Sequence, residues 1–460
     1  MNKIAIIIVM CISTVSAFSQ ASAPLPHREG QGEGLSLQQL KDSALHNNIA
    51  IRTARHDIEA ARQQRKEAFT KFFPNVSGTG LWFNANKGMA QTTVNPSEMI
   101  PAELASTLAT TFPAEALAAL ANPISISMMK NGTIGSLTAI QPVFAGGQIV
   151  NGNKLAKVGE DVSRLQLRLS EQEVEATTET YYWQIVSLQE KMKTIAAVDT
   201  LLADIHKDVD VAVRAGVALR NDLLQVQLRQ NDVASQRLKL QNGIAIVRLL
   251  LAQFCGLADT AFTVQSKPFS PLQGQDVSAS SPDTALPALA EYQLLQKQVE
   301  AAKLQKRMAI GQQLPSVAVG AGYNYHNLLD RDHAFGMLFA TVSVPLSDWW
   351  GGSHAIKRKQ LEQQKAEEQL TDNAELLKIR IQKSWNDMQE AYQQVGIAQR
   401  SIEQAQENLR LHRNYYRAGT ATMSNLLEAQ LLYQQSCDKH TDACIDYETA
   451  CLKYRHAIGQ

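Results

Sequence analysis

Two periods alternate along the chain. From Gly147 to Arg214, and again from Gly352 to Arg417, no proline interrupts and apolar residues recur at spacings of three and four. Ile195, Val198, Leu202, Ile205 and Val209 mark the first stretch; Trp385, Met388, Tyr392, Val395, Ile402, Ala405, Leu409 and Tyr416 mark the second. Such a sustained pattern predicts a coiled-coil seam. Sixty-odd residues at 1.5 Å each make a rod of about 100 Å, which no ordinary globular domain houses. Shorter helices are expected over about 36–71, 221–254 and 286–311.

Period two governs four other stretches, 76–84, 134–143, 317–325 and 335–344. In the third, Val317, Val319, Ala321, Tyr323 and Tyr325 share one face, while Ala318, Gly320, Gly322 and Asn324 share the other. Nine to eleven residues is about what a tilted strand needs to cross a bilayer. Prolines stand at the base ends of these stretches, and Trp82, Trp349 and Trp350 near strand ends fit an interfacial aromatic belt.

The two halves say the same thing twice. "VRAGVALRNDLLQVQ" begins at Val213 and "YRAGTATMSNLLEAQ" at Tyr416, so that Gly216 and Gly419, Leu223 and Leu426, and Gln227 and Gln430 are all 203 positions apart. Phe73-Pro74-Asn75-Val76 answers to Leu314-Pro315-Ser316-Val317, and Gly146-Gly147 to Gly351-Gly352. Each half therefore reads helix, strand, loop, strand, long helix, Arg-Ala-Gly turn, return helix. The first repeat runs over 36–256 with a hairpin at 76–143, a tip turn at 214–220 and a return helix. The second runs over 286–460 with a hairpin at 317–344 and a tip turn at 417–423. Residues 257–285, rich in Pro, Ser, Asp and Gly, read as an added layer around the middle of the rods.

Residues 1–19 have the marks of a secretory signal: Lys3, an apolar run from Ile4 to Val15, and small residues Ala17 and Ser19 before a cut at Gln20. An N-terminal extension, 20–35, follows. Beyond it no run of eighteen apolar residues remains, so no membrane-crossing helix is expected. The 44 basic and 44 acidic residues are mixed and leave no net charge, which argues against a nucleic-acid partner. Cys255, Cys437, Cys444 and Cys451 read as small buried apolar residues. His326 and His333 read as loop residues; two histidines without a third ligand are more often plain loop residues than a metal site. No phosphate loop, HExxH, CxxC or supported nucleophile triad is present, so neither enzyme nor cofactor is expected.

Two hairpins of membrane-length strands leave open sheet edges, whose backbone groups lack partners in lipid. Four strands are also fewer than the smallest single-chain barrel holds. Several copies must then close one barrel, with the rods forming a tube beneath it. Pro74 to Pro142 spans 68 positions against 30 from Pro315 to Pro345. The longer first loop, 85–133, alanine-rich between prolines, predicts a partly helical extracellular lid, with a packed intermolecular plug as the alternative.

The doubled Arg-Ala-Gly phrases with "NDLLQVQ" and "SNLLEAQ", the "FPNV" and "LPSV" strand openings, and the "QPVFAGGQ" and "VPLSDWWGG" exits resemble the TolC-type outer-membrane efflux proteins over about residues 36–459. That resemblance implies an α/β membrane protein of TolC-like fold: a trimer whose shared 12-stranded outer-membrane barrel continues into a coiled-coil α-helical periplasmic barrel. It implies a passive exit duct in a Gram-negative outer membrane, serving efflux or type I secretion. The implied partners are a periplasmic adaptor and an inner-membrane pump of RND or ABC type. Arg214, Ala215, Gly216, Arg417, Ala418 and Gly419 would then be the adaptor-docking tips. Acidic residues six and nine positions after the tip glycine match Asp222 and Glu428, with Asn425 where the pattern often has Asp. Tyr416 matches a residue linking neighbouring helices in the closed state, and Ala421 stands where a gating arginine can occur. A periplasmic coiled-coil adaptor, which needs one rod hairpin and no membrane-length strands, is a competing reading, as is an envelope tether, which shares the rods but not the paired hairpins.

Overall fold

The structure, a computed structural model, describes residues 34–87, 90–95, 100–101, 104, 124–128, 130–265, 281–328, 331–346 and 348–459. The expected signal segment, nearly all of the N-terminal extension, most of the extracellular lid and the middle of the 257–285 insertion lie outside the described residues.

The first helix among the described residues is α1 (Leu37–Asn47), where Ser36 and Gln39 cap each other reciprocally. The sequence pattern predicted one helix over 36–71, but Asn48 takes an extended conformation and splits it. The Asn48 side chain accepts from the Ala50 N–H, opening α2 (Ile49–Thr70), and its Nδ2 donates to the Phe254 carbonyl at 3.0 Å. A tertiary anchor thus outweighs helical continuity.

Next come β1 (Asn75–Asn84), a two-stranded ribbon of β2 (Ala90–Val94) and β3 (Ile124–Met128), and β4 (Asn131–Ala145). The ribbon is a correction to the long loop, which begins and ends as β structure. The second hairpin is β5 (Ser316–Leu328) and β6 (Arg331–Ser343). One antiparallel sheet has the order β1-β4-β5-β6, so β1 and β6 are its edges. Strand β4 continues past Pro142, where a proline was expected to end it, by shifting register between Pro142 and Phe144. A bulge is where a sheet tolerates proline.

The rods are α3 (Gln148–Arg214, 67 residues) and α6 (Asp348–Arg417, 70 residues), with α4 (Arg220–Cys255) and α7 (Met423–Ala457) returning from the tips. Helix α5 (Ala290–Gln312) completes the second return path, as α2 does the first. The expected seam of α3 is buried throughout. Those five residues pack with Val226 and Val233 of α4 and with Met423, Leu426 and Ala429 of α7. Contrary to the sequence expectation, one helix among the described residues, α4, is long and apolar enough to cross a membrane by composition alone. Its length is spent against α3, and Leu228, Leu238 and Leu249 on its other faces stay exposed in the single chain.

The two Gly-Gly pairs are not structurally alike. Gly146 and Gly147 adopt left-handed φ values of 58° and 73° before α3, whereas Gly351 and Gly352 lie inside the first turns of α6. The reason is a close crossing: a Cβ on Gly146 would stand 2.0 Å from the Gly311 carbonyl oxygen.

The two ends of the described chain meet at mid-rod. Glu179 of α3 is buried between Lys41 of α1, at 2.5 Å, and Arg455 of α7, at 3.5 Å. Around it Leu40, Ala44 and Ile51 pack on Tyr182, Ile185 and Leu251, and Val264 from the 257–285 insertion joins through a β-bridge to Leu35. The four cysteines among the described residues are free; Cys255, Cys444 and Cys451 are buried and Cys437 is half-buried.

Candidate functional site

Both rod tips are built by the same backbone device. After α3, Gly216 (φ 76°) lets the Val217 N–H reach the Ala212 carbonyl at 2.9 Å; after α6, Gly419 (φ 72°) lets the Thr420 N–H reach the Tyr415 carbonyl at 2.9 Å. Glycine at this left-handed position closes each helix and frees the chain to reverse. Ala215 and Ala418 are the residues just before these glycines.

Side chains then make the tips unequal. Arg214 pairs with Asp210 of its own helix at 2.7 Å, while Arg417 crosses to Asp208 of α3 at 2.9 Å. Thr422 caps α7 by accepting from the Asn425 N–H and donating to Asn425 Oδ1. Asn425 is therefore occupied in holding its own helix start. Its counterpart Asp222 stands in the first turn of α4, where a carboxylate favours the helix dipole.

Tyr416 is half-buried against the tip core; burial pushes its phenol pKa up, and the charge of Asp222 pushes it further. Asp222, Tyr416, Asp208 and Met423 line one groove between the two tips. Glu428 lies in the second turn of α7 and is exposed, outside that groove. Asp222 and Tyr416 are thus brought together; Glu428 is not joined to them within one chain.

One set of functional candidates was not found from sequence. Arg229 of α4 donates through Nε to Gln430 and through Nη2 to Gln434 at 2.6 Å, and Gln434 donates to Gln236 at 2.8 Å. Gln430 and Gln434 are buried. Ser424 adds a bond to Gln225 at 3.2 Å. These contacts join the first rod hairpin to the second. The doubled phrase pairs Gln227 with Gln430 by position, but it carries no sign of a cross-hairpin arginine.

At the opposite end, register divides the sheet into two faces. Val76, Trp82, Leu137, Val319, Tyr323, Leu338 and Val342 fall on one, with Trp82 at 71% and Leu338 at 87% exposure. Ser77, Thr79, Ser136, Thr138, Asn324 and Thr341 fall on the other, where Thr79 and Ser136 hydroxyls stand 2.6 Å apart and where Leu81, Ile134, Ile140, Phe335 and Met337 make the face mixed rather than purely polar. Trp350 is exposed in the first turn of α6, and Trp349 precedes it there. An apolar face in lipid and a polar face toward a lumen is the alternation of a membrane barrel strand.

Residues 287–460 match the model of the outer membrane efflux protein family. The match covers the second repeat. Over the first repeat the likeness is one of fold to solved structures. Solved outer-membrane structures overlie nearly the whole chain: VceC of Vibrio cholerae at TM-score 0.71, with 15% identity over 92% of this chain and 96% of that one. CusC gives 0.77, with 15% identity over 95% and 96%. CmeC of Campylobacter jejuni gives 0.74, with 13% identity over 95% and 90%. At such identities the likeness is one of fold. No curated protein sequence matches the chain. The efflux-protein fold accounts for the expected TolC-like architecture, with its rods, tips and sheet.

Proposed function

We propose that three copies of this chain pool their sheets into one twelve-stranded barrel in the outer membrane and their rods into a periplasmic tube, making a passive efflux duct. The observation that carries this reading is the pair of membrane-length edge strands, β1 and β6, on a four-stranded sheet with one apolar face. Edges of that length in hydrocarbon require partners, and three sheets of four strands close a barrel. The exposed apolar residues of α4 would be covered by neighbouring copies. An adaptor or tether does not account for two rod hairpins joined to such a sheet.

In the trimer, three copies of Asp222 and of Glu428 would ring the periplasmic entrance with negative charge and favour cations. The exposed tips Arg214–Gly216 and Arg417–Gly419 would meet a periplasmic adaptor, which links the duct to an inner-membrane pump. Trp82, Trp349 and Trp350 would mark the membrane interfaces. The repeat boundaries, the cleaved signal at 1–19, the belt-like insertion at 257–285 and the extracellular position of the first loop belong to the same proposal.

Outer-membrane extraction in detergent followed by negative-stain microscopy tests it. Three-fold particles about 140 Å long are expected from rods of about 100 Å capped by a barrel; water-soluble monomers in the periplasmic fraction would refute it. In planar bilayers, Asp222→Ala with Glu428→Ala is expected to raise the relative passage of anions, and unchanged selectivity removes the acidic ring.

A further inference from the structure

The second hairpin carries a pair of ligating side chains to which the duct gives no role. Expected in a loop, His326 and His333 stand instead within paired strands, directly opposite each other on β5 and β6. Opposed residues share a sheet face with Cβ atoms about 5 Å apart. The two imidazole centroids are 5.3 Å apart and their planes are inclined at 43°.

That separation suits a shared metal ion. An imidazole nitrogen binds Zn2+ at about 2.0–2.1 Å, which sets each ring centroid about 3.2 Å from the ion and two rings at a tetrahedral angle about 5.2 Å apart. His326 Nδ1 is buried and has no hydrogen-bond partner among the described residues, so that nitrogen is uncommitted. Ile134 lies beside His326 in the register, and the Phe335 ring sits 5.8 Å from that of His333, giving the pair an apolar flank. Asp332 does not serve as a third ligand: it accepts from Tyr325 at 2.8 Å and from Asn327 at 2.6 Å, residues of the opposite face. No group of three or more ligating side chains occurs among the described residues.

We propose that His326 and His333 form a two-imidazole site for a borderline divalent transition-metal ion, Zn2+, Ni2+ or Cu2+, with water filling the remaining positions. Imidazole ligands favour these ions over Mg2+ and Ca2+, which take oxygen donors. Two protein ligands and open water positions make the site exchangeable. The site itself rests on the hairpin geometry alone. That the ion would sit in the conduit rests on the proposed barrel, in which His326 shares the lumenal face with Asn324 and Ser136. There, three bound ions would add positive charge near the mouth and oppose cation passage.

Titration calorimetry with Ni2+ on the tag-free, full-length protein in detergent, stripped with EDTA, tests the site. One equivalent per chain is expected. His326→Ala or His333→Ala should each weaken it by about 10²-fold, because one imidazole loses the advantage of a linked second ligand. An unchanged isotherm in the double variant overturns the proposal, as does the absence of binding in the parent, which would leave the rings as packing partners of Phe335. Should a variant fail to assemble, electron paramagnetic resonance of the Cu2+-loaded parent decides: two coordinating nitrogens support the site and fewer refute it. Zn2+ should also lower cation selectivity in bilayers. Binding without that change keeps the metal site and counts against the lumenal orientation.

Discussion

Arg229 holds Gln430 at 3.0 Å through its Nε, joining α4 of the first rod hairpin to α7 of the second with a guanidinium that meets side-chain amides. Burial pushes its pKa down, and Asp232 partly offsets this. Hydrogen bonds to a charged group contribute about 1.5–3 kcal/mol, and the orphaned amide of a buried Gln430 adds a penalty. Arg229→Ala is therefore expected to cost about 2 kcal/mol locally. Arg229→Lys should rescue little, because an ammonium cannot reproduce the two-pronged geometry. Hydrogen exchange at the tip halves of α4 and α7 reads the loss as faster local opening; unchanged protection would reduce the contact to a passive one.

Glycines with similar φ should differ sharply on substitution. At Gly216 and Gly419 nothing lies within 4 Å of an added Cβ, so alanine there meets only the left-handed backbone cost, about 1–2 kcal/mol. At Gly146 the added carbon would strike the Gly311 carbonyl at 2.0 Å, and at Gly311 it would strike the Gly146 oxygen at 2.2 Å. Backbone atoms cannot step aside as a side chain can. Gly146→Ala should abolish assembly of the outer-membrane form, while Gly419→Ala should leave its yield near the parent's, measured by immunoblot of membrane fractions. Equal yields would mean the crossing relaxes.

The contrast between those glycines explains what the sequence made legible. The rods, tips and strands follow from local rules: a seam at three and four, glycine after a helix, alternation over membrane-length segments. The same rules placed Gly216 and Gly419, whereas Asp222 and its counterpart Asn425 were singled out by the family resemblance alone. Features set by distant contacts were hidden. Asn48 splits a helix because its amide reaches Phe254, and the Arg229 network depends on the rotation of α4 against α7. The histidines were misplaced because alternation fades in the polar end of β5, where pairing with β6 extends the strand to Leu328.

Where the two ends of the described chain meet, Glu179 is 2% exposed and has Lys41 and Arg455 beside it. Removing one partner of a buried ion pair costs about 3–5 kcal/mol, since a charge is left in low dielectric. Lys41→Ala should fall toward the lower bound, because Arg455 still offers partial neutralisation at 3.5 Å. Pairing Lys41→Met with Glu179→Leu removes both charges and should restore much of the loss. A double-mutant cycle on unfolding in urea measures the coupling; simple additivity would deny that the two charges interact.

Two groups of side chains should give stability two separate acid limbs. Burial holds the His440 imidazole below its ordinary 6.5, and does the same to His456 against the pull of Glu175. Between the folded and unfolded values the unfolded chain binds more protons, so this stability is present above about pH 6.5 and is lost as pH falls through the lowered folded value. Hydrogen bonds from Arg65 and Arg164 hold the Glu160 carboxyl below its ordinary 4.5, so its contribution is present above that value and is lost only below it. His440→Asn with His456→Asn should flatten the upper limb and leave the lower intact, whereas Arg65→Ala should do the reverse. Thermal unfolding midpoints of the detergent-held protein across both ranges check this. A histidine variant that instead loses stability selectively below pH 6.5 would show that those imidazoles are charged in the folded chain.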